Sequence, residues 1–363
     1  MKIRLLTGFA IVCVLISVGV VPSGRASATT TLFSDNFQNG FTVGNFGDPA
    51  VNWAYFAAGP FVGNDGITST GPDGLTVDSK GVNPHTGKPA FTLTVPQDSQ
   101  LPGTFDHVKW LVYANQFSSH GFPGFDAPAH GELVCQATVS GETFGTENNP
   151  FHQYVTNPND DLRLAAIALP NIDFDTFNVF DTWLTNEYIY AFYEHLPFQR
   201  HSLGGAYGEY AAYSSVVRIA KRSPNKVDTV AFAYDKEHGT ARWLVNGVEK
   251  WRVPVTIGHR PPSSMILIDH GGQDTNFSPN QIDCGMGTFT LLDGYGPKGK
   301  GLVRLNNPAG PPNYYNPATG PHPDDAAPSD ADFVDNQSLP QDRLWGQGAE
   351  LHVSNFSVQY WNN

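Results

Sequence analysis

From residue 29 onward the chain holds no run of ten or more residues with helical periodicity and caps. Short alternating, β-branched and aromatic segments recur instead at 90–95, 108–115, 132–139, 162–169, 176–185, 188–195, 229–234, 241–245, 265–268, 288–292 and 351–359. A helix needs apolar residues at every third or fourth position, whereas a half-buried strand needs them at every second, so the pattern admits strands and excludes a helical protein. Strands in such number, without an internal repeat or a break in composition, predict an all-β, two-sheet antiparallel sandwich, one domain over residues 29–363. With 37 Gly, 28 Pro, 12% aromatic and only 15% charged residues, the composition suits short strands joined by many turns. Residues 306–343 differ: they are crowded with Pro, Gly, Asn and Asp and nearly lack aliphatics. They are expected to form a long loop excursion over one end of the sandwich, anchored by Tyr314 and Tyr315. The strand at 350–360 should then return beside the first strand at 32–37.

The N-terminus carries Lys2 and Arg4, an apolar run over 5–21 interrupted by Thr7, Gly8 and Ser17, and then Ala26, Ser27 and Ala28. This is the order of a cleavable secretory signal peptide, so residues 1–28 are expected to be removed and the mature chain to begin at Thr29. Cys13 follows Val12, which does not suit lipid attachment. Cys135 and Cys284 remain after processing; they form either one long-range disulfide, as an oxidising compartment permits, or two buried thiols. They lack the CxxC spacing of a thiolate metal site. The formal charge is −13, and loss of Lys2, Arg4 and Arg25 makes the remainder more acidic still. Such a surface repels nucleic acid and anionic membranes; with the secretory signal, the expected setting is extracellular, with no stable membrane association after cleavage.

Residues 230–235, a turn at 236–239 and residues 240–249 read as two strands followed by an Asn246-Gly247 hairpin turn. This region resembles the penultimate hairpin of concanavalin-A-like jelly rolls, including the laminarin- and lichenan-cleaving hydrolases of glycoside hydrolase family 16. The opening at 33–37 with Trp53 to Phe56, and the closing strand at 350–360, are similar to the ends of such domains. The resemblance implies a jelly roll and a carbohydrate partner. Family 16 carries Glu-x-Asp-x-(x)-Glu on one strand; here Thr176 and Asn178 stand at two of the carboxylate positions and only Asp181 carries over. Calcium at the sandwich edge, with Asp35 or Glu350 contributing, is a further implication, and no other cofactor is expected.

The residues themselves point to one hairpin. Strands at 176–185 and 188–195 flank Asn186-Glu187, so Asp181 should face Phe192, Trp183 face Tyr190 and Val179 face Glu194. One face then holds Val179, Asp181, Trp183, Thr185, Tyr188, Tyr190, Phe192 and Glu194; the other, with Phe180, Thr182, Leu184, Ile189, Ala191 and Tyr193, is the core face. Aromatic rings with carboxylates among them suit a sugar-binding cleft, and Asp181 and Glu194, diagonal across the hairpin, are the expected catalytic pair. Trp183, Tyr188 and Tyr190 are expected to bind substrate. Asp173 and Asp175 extend the acidic face or cap a turn. His107 and Lys109 alternate towards the same cleft, and Asp269-His270 sits on a Gly-rich loop after a strand, where functional residues concentrate. There is no Gly-x-Ser-x-Gly elbow, no His-Glu-x-x-His and no phosphate-binding Gly loop. The expected activity is glycoside hydrolysis of a poly- or oligosaccharide; the alternatives are a lectin-like module without chemistry and an enzyme of another class acting on a hydrophobic small molecule.

Overall fold

The computed structural model describes residues 29–96, 103–254, 256–294, 300–304, 333–335 and 339–362. The leader at 1–28, most of the 306–343 excursion and its expected anchors Tyr314 and Tyr315 lie outside the described residues. The fold is a two-sheet, jelly-roll β-sandwich whose strand pairs are almost all antiparallel. One sheet is built on the long strands Glu132–Phe144 and Gly348–Trp361, flanked by Asp228–Asp235, Thr240–Val245 and Gly74–Ser79. The first strand, Thr29–Asp35, pairs with the last, Gly348–Trp361, as expected. The other sheet runs in the spatial order Val108–Ala114, Gln281–Phe289, Ala166–Leu169, Asn178–Leu184, Tyr188–His195, Tyr213–Lys221 and Ile266–Asp269. Asn246 and Gly247 take positive φ of 53° and 75° between paired Val245 and Val248, the geometry that turn sequence favours.

The two sheets meet through alternate residues. Phe180 stacks on Phe232 of the opposing sheet at 4.9 Å and on Tyr193 at 5.6 Å. Trp243 buries its ring in the same cluster and donates its Nε1–H to the Asp181 carbonyl at 2.9 Å, so the large apolar residue leaves no buried donor unpaired. Cys135 and Cys284, one from each sheet, are bonded across this core with Cα atoms 5.9 Å apart.

Two expectations change here. Residues 90–95 are mostly irregular; only Pro89–Ala90 forms a strand. Lys109 does not alternate with His107 into a cleft, because His107 ends a 3-10 helix, Gly103–His107, and the register shifts between Val108 and Trp110. That irregularity breaks the two-residue period on which the expectation rested. Lys109 is instead fully buried, its Nζ 2.8 Å from Asp106 Oδ1 and 3.3 Å from the Thr92 carbonyl, with Arg343 Nη1 3.5 Å from Asp106 Oδ2. Burial alone would push Asp106 up, but Lys109 and then Arg343 outweigh it and hold the carboxyl below its usual value. Lys109→Met is expected to cost about 3–5 kcal/mol, since it removes the nearest partner of a buried charge. A urea titration checks this. Because the folded pKa of Asp106 is depressed, the stability it contributes is present above the unfolded carboxylate pKa and is lost as pH falls through the folded one.

Candidate functional site

The hairpin Asn178–Leu184 and Tyr188–His195 pairs Val179 with Glu194, Asp181 with Phe192 and Trp183 with Tyr190, the register read from the sequence. Phe180, Leu184, Ile189, Ala191 and Tyr193 enter the core between the sheets, while Val179, Trp183, Tyr190 and Phe192 pack on the opposite face. Phe56, Phe105, Phe174, Phe177 and Phe198 form a phenyl roof over part of that face and, with Asp181 and Glu194, line a partly open pocket of about 180 Å³.

Both carboxyls are nearly out of solvent, at 5% and 8% exposure. Asp181 Oδ1 accepts the Asn171 amide at 2.9 Å and its Oδ2 accepts Trp183 Nε1–H at 3.1 Å. Glu194 Oε1 accepts a hydrogen bond from the Ser214 hydroxyl. Burial, and then the neighbouring Glu194, pushes Asp181 well above the usual carboxylate range. A carboxyl that keeps its proton beside a second carboxyl is a potential general acid with a base or nucleophile at hand.

His107 also lines the pocket, its Nε2 against Asp293 Oδ1. Burial pushes His107 down to about 3 and Asp293 well up, so both favour the neutral form. That direction favours a neutral imidazole that contributes hydrogen bonding at the pocket wall. Its imidazole NMR shifts are expected to stay constant between about pH 5 and 8, where an unperturbed histidine titrates.

Tyr113 completes the wall, and Gly285 makes room for it. A Cβ at Gly285 would come 2.7 Å from Tyr113 Cδ1 and 2.5 Å from the Val112 carbonyl. Burial raises the Tyr113 phenol, Asp181 and then Asp283 add to it, and Asp283 is itself pushed well up by burial.

The remaining expected site residues are distributed elsewhere. Tyr190 leaves the pocket lining because its hydroxyl donates to Asp160 Oδ1 at 2.6 Å and accepts from Arg218 Nε at 3.0 Å; Tyr188 lies under the same guanidinium at 4.8 Å. Asp173 is fully buried and closes a turn: its carboxylate accepts the Asp175 amide at 3.1 Å and the Thr176 hydroxyl at 2.6 Å. Asp175 lines a different depression, where it accepts from the Tyr207 hydroxyl at 3.0 Å. Asp269 pairs with Arg260 at 2.8 Å, and His270 is buried with its amide on the Ala212 carbonyl; neither lines the acid pocket. Asn178 and Thr176 are buried and bonded to each other at 2.9 Å. Asp35 spends its oxygens on the Phe37 amide and Trp53 Nε1–H, and Glu350 sits by Asp78 at a different point of the last strand. Among the described residues, no three His, Cys, Asp or Glu are grouped to hold a metal ion.

Asp283 and the phenyl roof were not expected from sequence. For Asp283 a signal exists: Gln281, Asp283, Gly285, Gly287 and Phe289 alternate with Ile282, Cys284 and Met286, the mark of a strand with one core face. The roof comes from separate loops and has no such period.

A family model described as "Family of unknown function (DUF6081)" matches residues 34–361. The chain is 28% identical over 284 residues to the uncharacterized protein L829 of Acanthamoeba polyphaga mimivirus, a match spanning 64% of this chain and 60% of that protein. Solved structures similar to it include the apo Crh5 transglycosylase, with a TM-score of 0.37, 11% identity, and coverage of 93% of this chain and 85% of that one. The catalytic domain of an endo-1,3-beta-glucanase (laminarinase) from Thermotoga petrophila RKU-1 gives 0.38 and 7% identity, with 93% and 100% covered. Alginate lyase A1-II′, of polysaccharide lyase family 7, gives 0.36 and 10%, with 82% and 84% covered.

Proposed function

The chain belongs to DUF6081, a family of unknown function, and from its site we propose a carbohydrate-active enzyme that uses Asp181 and Glu194 as a proton-transferring pair on a sugar ring. The carrying observation is the adjacency of two nearly buried carboxyls in an aromatic pocket, one of them pushed up by burial and by the other. In hydrolysis, protonated Asp181 gives its proton to the departing glycosidic oxygen. Glu194, oriented by Ser214, either takes a proton from the attacking water or attacks the anomeric carbon itself; water supplies the hydroxyl of the new reducing end in both cases. The secretory pattern at the N-terminus and the Cys135–Cys284 bond support work outside the cytoplasm.

The test is release of reducing ends from a panel of polysaccharides and aryl glycosides by the wild type and the Glu194→Gln variant. Release that the variant loses supports the hydrolase; tight sugar binding without release leaves a lectin-like module.

A second reading rests on the walls. The five roof phenylalanines with Trp183, Phe192 and Phe289 leave few hydrogen-bonding side chains for sugar hydroxyls. They favour a hydrophobic small molecule acted on by the same acid pair. Saturable binding of an apolar aromatic probe, with no affinity for any sugar of the panel at the Asp181 and Glu194 pocket, would select this reading over the first.

A further inference from the structure

A second depression, of about 370 Å³, opens where residues 207–210 meet residues 273–280. One turn separates it from the acid pocket: Phe174 and Phe177 line the first, while Asp175 and Thr176 line the second. Asp173 pins that turn through the Asp175 amide and the Thr176 hydroxyl, and Phe177 takes a φ of 57° to leave it.

The second pocket is the more polar of the two. In the second, Tyr207 and Tyr210 each meet the ring of Phe277 at 5.4 Å, and His195 stacks behind Tyr210 at 4.1 Å, which holds the wall rigid. Around these rings stand the amide side chains of Gln273, Asn276 and Asn280. Ring faces bordered by amides and hydroxyls complement a ligand that is apolar across its ring and polar at its edge. The charged side chains of the lining, Asp175 and Glu209, are both acidic. Of the nearby cations, Arg200 is tied to the Tyr210 and His270 carbonyls and Lys236 Nζ meets the lining at Asn280 Oδ1, 2.7 Å away, while among the described residues the lining itself holds no basic side chain. An anionic ligand would meet like charge here.

We propose that this pocket binds a neutral or amino-sugar unit of an oligosaccharide, independently of the acid pair. The experiment is calorimetric titration of the full chain with hexasaccharides of glucose, of glucosamine and of a uronate. The expected result is binding of the glucose or glucosamine probe and none of the uronate. Tyr207→Ala should weaken binding roughly ten-fold through loss of a ring face. Asn276→Ala, at an exposed position, should also weaken it without lowering the thermal midpoint. Equal binding of the uronate, no binding of either other probe, or affinity untouched by both Tyr207→Ala and Asn276→Ala overturns the proposal. Turnover with no contribution from Tyr207 or Asn276 would overturn this site and leave the acid pocket standing; binding here without turnover would do the reverse.

Discussion

Glu194→Gln is expected to reduce turnover by about 10²- to 10⁴-fold, the usual contribution of a positioned acid or base. It should also lower the pKa of the carboxyl that stays behind. Asp181 is raised first by burial and second by the negative charge of Glu194, so neutralising residue 194 removes the second cause and leaves the first. The sign is fixed: a carboxyl whose proton is no longer favoured by a neighbouring anion ionises at lower pH. If protonated Asp181 is the general acid, the alkaline limb of the residual activity moves down in pH with it. Infrared titration of the Asp181 carboxylate band in both proteins gives a readout that needs no substrate. An Asp181 that titrates at the same pH in both would break the coupling, and a Glu194→Gln enzyme with full turnover would remove Glu194 from the chemistry. Asp181→Asn is the less clean variant, because the Asn171 amide and the Trp183 indole N–H reach different oxygens of Asp181, and the substitution turns one of those acceptors into an NH2 that faces a donor.

Loss of the Cys135–Cys284 bond is expected to cost roughly 5 kcal/mol, the chain-entropy figure for closing a long loop. The bonded residues are 149 apart in sequence. They join one sheet to the other through the centre of the core, so the unfolded chain is strongly constrained by the link. Guanidinium unfolding of the wild type and of a Cys135→Ala/Cys284→Ala double variant, each with and without reductant, measures the effect. The wild type should fall in reductant towards the variant, and the variant should be indifferent to it. Equal midpoints for all four samples would show that packing of the two sheets carries the stability by itself.

The hairpin shows how much of the site is legible from the chain. Two segments of alternating residues and a two-residue connection are enough to pair Asp181 with Phe192 and Val179 with Glu194, because a slip of one residue would turn Phe180, Leu184 and Tyr193 out of the core. The same reasoning fails at Lys109, where a register shift after a 3-10 helix changes the parity and sends a lysine to a buried carboxylate. It also stops short at Tyr188 and Tyr190. Their face is that of the pocket, but Asp160 and Arg218, both distant in sequence, draw them into a separate cluster at the end of the hairpin.

Local periodicity by itself determined the class of fold, the pairing of the central hairpin and the face on which two acids lie, because each depends on a repeat of two residues and on turns a few residues long. Only the tertiary structure decided that this face is a phenyl-walled pocket, that the Asp181 carboxyl is pushed well above its usual range, and that a second pocket edged with amides lies one turn away. Those properties come from burial by loops remote in sequence, Phe56 and Phe105 among them, and removal from water is a sum over all neighbours that no local pattern encodes.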